Sequence, residues 1–89
     1  MATRNGSAQW RGDLQQGSGT LTVGDGVFEG AYSAASRFEE GEGTNPEELI
    51  AAAHAACFAM ALSDTLATNG HTPDVVRSRA RVHLRFIDD

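Results

Sequence analysis

The stretch Thr44-Asn45-Pro46-Glu47-Glu48, followed by Leu49-Ile50-Ala51-Ala52-Ala53-His54-Ala55-Ala56-Cys57-Phe58-Ala59-Met60-Ala61-Leu62, decides how this chain folds. Asn45 can cap a helix, Pro46 suits the first helical position, and Glu48 stands three residues after the cap, as in a capping box. The helix can continue to Asn69, because Gly70 favours a left-handed C-terminal cap and Pro73 prevents propagation. A helix over 45–69 would be about 36 Å long. Alanines fall on every side of it, together with Leu49, Ile50, Phe58, Met60 and Leu62, so it is apolar almost all round. A helix of that kind needs cover on several sides. One small sheet covers one side, so a second chain is expected to cover the rest.

N-terminal to this helix, nine of the ten glycines lie within residues 1–43, which marks a turn-rich half. Residues 8–11 around Trp10 read as a short strand, and Thr20-Leu21-Thr22-Val23 alternates polar and apolar side chains before Gly24-Asp25-Gly26 supplies a hairpin turn. Val27 and Phe28 begin the return, and Tyr32 to Phe38 is a further strand candidate. The expected product is a three-stranded antiparallel meander. After the helix, Val75 to Ile87 alternates again: Arg77, Arg79, Arg81, His83 and Arg85 fall on one face, and Ser78, Ala80, Val82, Leu84 and Phe86 on the other. That pattern predicts an amphipathic strand over 75–87. The fold class is therefore α+β: meander, long central helix, following strand, all in one domain over 1–89.

Eighty-nine residues leave room for one modest core, and 40% hydrophobic with 21% charged residues suits a folded protein. Twelve acidic residues against seven arginines give a net charge of −5, which argues against a nucleic-acid or anionic-membrane binder. The single cysteine, Cys57, rules out an intrachain disulfide, and the first 15 residues contain no apolar signal core. A cytoplasmic location is expected. The apolar run Leu49 to Leu62 is 14 residues long, short for a bilayer, so no membrane span is expected.

Four groups of residues could carry chemistry. The glycines at 17, 19, 24 and 26 do not link a strand to a helix N-terminus, so they read as turns rather than a phosphate cradle. The arginine row at 77, 79, 81 and 85 reads as a solvated face, or one facing Glu39, Glu40 and Glu42. His54 and Cys57, at i and i+3, could begin a metal site, with His71 and His83 as the remaining histidines. Cys57 is otherwise a small buried hydrophobe or a nucleophile. Lying in the fourth turn, it gains little from the helix dipole, so activation would require a nearby cation such as Arg37.

The run Arg37-Phe38-Glu39, then Gly43-Thr44-Asn45-Pro46-Glu47-Glu48 through Cys57 to Ser63, resembles the signature of the OsmC/Ohr family in its OsmC branch. Ala8-Gln9-Trp10-Arg11-Gly12-Asp13 and the Gly17-Ser18-Gly19-Thr20 turn resemble that branch's opening. The resemblance implies a cysteine-dependent peroxidase for organic hydroperoxides in oxidative and osmotic stress defence, built as an intertwined homodimer. It assigns Cys57 as the peroxidatic cysteine, with Arg37 and Glu47 as its catalytic partners. No cofactor or metal is implied; an external dithiol, such as a lipoylated protein, would be the reductant. The family pattern also implies a protomer about half as long again, with a second helix and a resolving cysteine, so this chain corresponds to its N-terminal two-thirds.

Glu47 and Cys57 stand ten residues apart, about 15 Å along one helix, and cannot meet within it. If two copies pack antiparallel about a two-fold axis near Ala52, residue i meets residue 104 minus i, and Glu47 of one chain faces Cys57 of the other. Two other readings compete with the peroxidase: a dimerisation or binding module without turnover, and a metal or small-ligand binder using His54 and Cys57.

Overall fold

The computed structural model describes residues 2–87. Met1, Asp88 and Asp89, the ends of the single domain expected over 1–89, lie outside them. The elements in chain order are β1 (Gly6–Arg11), β2 (Ser18–Val23), β3 (Phe28–Tyr32), α1 (Ala34–Phe38) and α2 (Pro46–Thr68). The fold is α+β. It divides into two compact units, Met1–Pro46 and Glu47–Asp89.

The first unit is built on an antiparallel sheet in the order β1-β2-β3. Trp10 pairs with Gly19, which pairs with Tyr32, and Ala8 pairs with Leu21, which pairs with Gly30. Because side chains alternate along a strand, these six residues share one face with Val23 and Phe28. Ser7, Gln9, Arg11, Ser18, Thr20, Thr22 and Glu29 share the other, where the Thr22 hydroxyl donates to the Glu29 carboxylate at 3.3 Å. The sheet is thus apolar on one side and polar on the other, as an antiparallel sheet with one covered face requires.

Gly19 is the point about which the apolar face closes. Trp10 and Tyr32 reach towards each other across β2, with ring centroids 5.3 Å apart and planes tilted by 52°. A Cβ at position 19 would stand 2.7 Å from both rings and 2.8 Å from the Gln9 carbonyl, closer than side-chain atoms approach. The Trp10 indole N–H donates to the Gly12 carbonyl at 3.0 Å, which ties the pair to the turn after β1. Tilted aromatic pairs of this kind contribute about 0.5–1.5 kcal/mol beyond their area burial.

Tyr32 to Phe38 does not continue as a strand. The chain leaves β3 at Tyr32 and forms α1, with Ser33 as N-cap. The Ser36 N–H donates to Ser33 Oγ at 3.1 Å, and the Ser33 N–H donates to Ser36 Oγ at 2.7 Å. This reciprocal cap satisfies the helix start, and Ala34-Ala35 then favours helix over strand. Ser36 is buried, and its carbonyl accepts from the Asn45 side-chain amide at 2.9 Å. Thr44, also buried, donates its N–H to Ala31 O at 2.8 Å and lays its methyl where a Gly30 Cβ would be.

The second unit carries α2. It begins at Pro46 with Glu47 and Glu48 in its first turn, where the dipole favours acids. At its other end Gly70 N–H donates to Ala67 O at 3.0 Å and His71 N–H to Leu66 O at 2.8 Å, the two bonds of a Schellman cap. Gly70 sits at φ 87°, the left-handed position that this cap needs. None of the 23 residues of α2 is buried. By length and composition the helix is also long and apolar enough to cross a membrane, a test that core helices of soluble proteins pass equally.

The strand expected over 75–87 is not formed; these residues belong to no helix or strand. A strand exists only against a hydrogen-bonded neighbour, and the sheet is complete as β1-β2-β3 with no fourth member among the described residues. The alternation survives as exposure: Val76, Ser78 and Ala80 are half-buried, while Arg77, Arg79 and Arg81 are exposed.

Candidate active site

Cys57 lies in the middle of α2 and is exposed. The half-buried positions along the centre of the helix are Ala51, Ala55, Ala59 and Ser63, a stripe with a spacing of four. At 3.6 residues per turn, Cys57, two positions from both Ala55 and Ala59, is on the opposite side. Ile50, His54, Met60 and Asp64 share that open side with it, at spacings of seven and three. Ile50 is 57% and Met60 76% exposed, so the thiol stands on an uncovered apolar surface. It is neither the buried filler that a lone cysteine often is nor part of a metal cluster; none exists among the described residues.

Glu47, in the first turn of α2, is half-buried. The helix is continuous from Pro46 to Thr68, so Glu47 and Cys57 are about 15 Å apart along its axis and do not meet within this chain. Arg37 belongs to the first unit, in the last turn of α1, where a cation opposes the negative end of the helix. Its guanidinium carbon is 5.3 Å from the Phe38 ring centroid, within cation–π range.

Beside Arg37 is a cleft of about 280 Å³ whose apolar walls are Trp10, Leu14, Tyr32 and Phe38. Ser33 and Ala34 close its side, and Arg37 supplies its one charge. No motif or spacing along the chain points to this cleft. Its walls come from β1, the following turn, β3 and α1, and only the pairing of Trp10 with Gly19 and of Gly19 with Tyr32 brings them together. Gly19 between two aromatic partners marks it only once the strand register is known.

A family profile described as OsmC-like protein matches residues 39–89, which include α2 and Cys57. The chain belongs to the OsmC family. It is also 48% identical over 86 residues to Peroxiredoxin OsmC of Escherichia coli (strain K12), and equally to that of Shigella flexneri. Each match covers 96% of this chain and 60% of the relative. The chain thus spans less than two thirds of the curated relatives' length, and the OsmC-family likeness reaches beyond the profile match to the sheet and Arg37.

Proposed function

We propose that this chain is the thiol-bearing part of a peroxidase that reduces organic hydroperoxides to alcohols, with Cys57 as the peroxidatic residue. The observation that carries this reading is an exposed cysteine at the centre of an uncovered apolar helix, in a chain 48% identical to proteins named peroxiredoxin. A thiolate sulfur attacks the distal peroxide oxygen, the O–O bond breaks, and the sulfur becomes a sulfenic acid. Arg37 is the cation that favours the thiolate and binds the peroxide oxygens, and Glu47 holds the guanidinium in its planar fork. The open apolar side around Cys57 and the aromatic cleft beside Arg37 both favour an organic substituent over hydrogen peroxide. Two electrons from a dithiol reductant, such as a lipoylated protein, return the sulfenic acid to the thiol; no cofactor or metal takes part.

The same reading makes the working unit a cytoplasmic homodimer active in stress defence. α2 has no buried residue, and patches of that kind on soluble proteins mark interaction sites. A second α2, antiparallel about the level of Ala52, covers it and sets Glu47 of one copy level with Cys57 of the other along the axis. The interspersed His54, Ser63 and Asp64 suit a protein neighbour better than lipid.

The test is single-turnover oxidation by cumene hydroperoxide, followed as loss of thiol and gain of mass, in wild type and Cys57→Ser. Consumption by wild type alone supports the reading. Equal consumption by both variants removes Cys57 from the chemistry, and intact thiol in wild type leaves the binding module as the better account.

A further inference from the structure

The oxidation of Cys57 requires two proton movements, and the roles proposed for Arg37 and Glu47 supply neither. The thiol must lose its proton before the sulfur can attack, and the alkoxide that leaves must gain one. A guanidinium stays protonated in proteins, so Arg37 stabilises charge without moving a proton. Glu47 of the same chain is ten residues from Cys57 on one helix, and Glu47 of the second copy in the proposed pairing is given to holding the Arg37 guanidinium. Within one turn on either side of Cys57, residues 53–61, the other residues apart from His54 are all alanine, phenylalanine or methionine. His54 is exposed, on the open side of α2 one turn before the thiol. Residues three apart on a helix have Cβ atoms about 5–6 Å apart. Helical side chains also lean towards the N-terminus, which inclines the Cys57 sulfur over the turn that carries His54.

We propose that His54 is the proton carrier of the peroxide step, an inference that rests on Cys57 being the peroxidatic thiol. A ring nitrogen of the neutral imidazole takes the Sγ–H proton. The thiolate attacks the distal oxygen of the hydroperoxide, the S–O bond forms, and the O–O bond breaks with its electron pair on the proximal oxygen. Sulfur is oxidised by two electrons and the peroxide reduced by two. The imidazolium N–H then gives its proton to the proximal oxygen, so that thiol and hydroperoxide yield sulfenic acid and alcohol with no external acid or base. Histidine suits the task because its ordinary pKa lies near neutrality, where it can both accept and release a proton. The metal reading of His54 and Cys57 needed further ligands; this role needs only the pair.

The leaving group supplies the test. An alkoxide is a strong base and needs a proton as the O–O bond breaks, whereas the carboxylate that leaves from a peracid does not. Single-turnover oxidation of Cys57 is measured in wild type and His54→Gln with tert-butyl hydroperoxide and with peracetic acid. The expected loss in His54→Gln is about 100-fold with tert-butyl hydroperoxide, in the range of general acid–base catalysis, and at least tenfold smaller with peracetic acid. The ratio of the two losses is taken within one variant, so partial unfolding cancels from it. Equal losses, or none, in a chain whose wild type reacts with both oxidants would overturn the role of His54 alone. A wild type that neither oxidant modifies would overturn the peroxidase reading beneath it, and this proposal with it.

Discussion

The two units solve the problem of a small chain in opposite ways. All four buried residues among those described, Leu21, Ala34, Ser36 and Thr44, belong to the first unit, and α2 in the second buries none. The first unit is held by contacts of its own: a two-way serine cap, a glycine under an aromatic pair, and a threonine methyl against Gly30. The second has capped ends and an uncovered middle. Its helix is specified along its own axis, while its lateral surface is left without a buried residue. Cys57 lies on that exposed surface and Arg37 belongs to the first unit, so the proposed chemistry draws one residue from each.

The sharpest way to break this contrast is to put a charge at the point where the second helix is expected to be covered. In the proposed antiparallel pairing Ala52 meets its own counterpart, so Ala52→Asp buries two like charges together. The cost is about 4 kcal/mol, roughly a thousandfold in dimer dissociation. Sedimentation equilibrium should show a dimer for wild type and a monomer for the variant at micromolar concentration. Identical behaviour of the two would leave α2 uncovered or covered elsewhere. Glu29→Lys, on the polar face of the sheet, should leave the assembly unchanged.

A smaller effect is expected at Arg37, the residue through which the first unit would act on the second. If Arg37 binds the Cys57 thiolate, Arg37→Ala should slow oxidation by hydroperoxide by about 30–100-fold, the worth of a hydrogen bond to a charged group. Arg37→Lys should recover part of the rate, because it keeps the charge and loses the fork. Alkylation of Cys57 by iodoacetamide should slow in the same order, since thiolate is the reactive form there too. Equal rates in all three proteins would make Arg37 a wall of its own cleft and nothing more.

The same contrast governs what was legible in the sequence. Pro46 and Gly70 bracket α2 because caps act through their immediate neighbours, and Gly24-Asp25-Gly26 marked the β2–β3 turn for the same reason. α1 was missed because its cap uses Ser36 at the position where a glutamate or glutamine is the familiar sign. The alternation over 75–87 was visible and the strand was still not formed, since a ladder needs a neighbour that no periodicity supplies. Cys57 stood out through its family setting, whereas its exposure emerged only with the helix. The cleft by Arg37 depends on register across three strands, and register is a non-local property.

The mildest test addresses Gly19, where the first unit depends on the absence of a side chain. In an ordinary strand, exchanging glycine for alanine reduces the entropy lost on folding and improves strand propensity, an advantage of about 0.5–1 kcal/mol. At position 19 the new methyl would stand 2.7 Å from an edge atom of Trp10 and of Tyr32, and 2.8 Å from the Gln9 carbonyl. The rings can turn aside, but the carbonyl belongs to the β1–β2 ladder and moves only with the strand. Gly19→Ala should therefore lose the aromatic pairing and strain the ladder, a net destabilisation of about 1–2 kcal/mol. Trp10 is the only tryptophan, so its fluorescence reports this site directly. The expected result is a shifted emission maximum and a lower denaturant midpoint by fluorescence, with the helical signal of α2 unchanged before the transition. A stabilised variant would mean that Trp10 and Tyr32 do not close over β2 in solution. Loss of helical signal in native buffer would mean that the two units do not hold their structures independently.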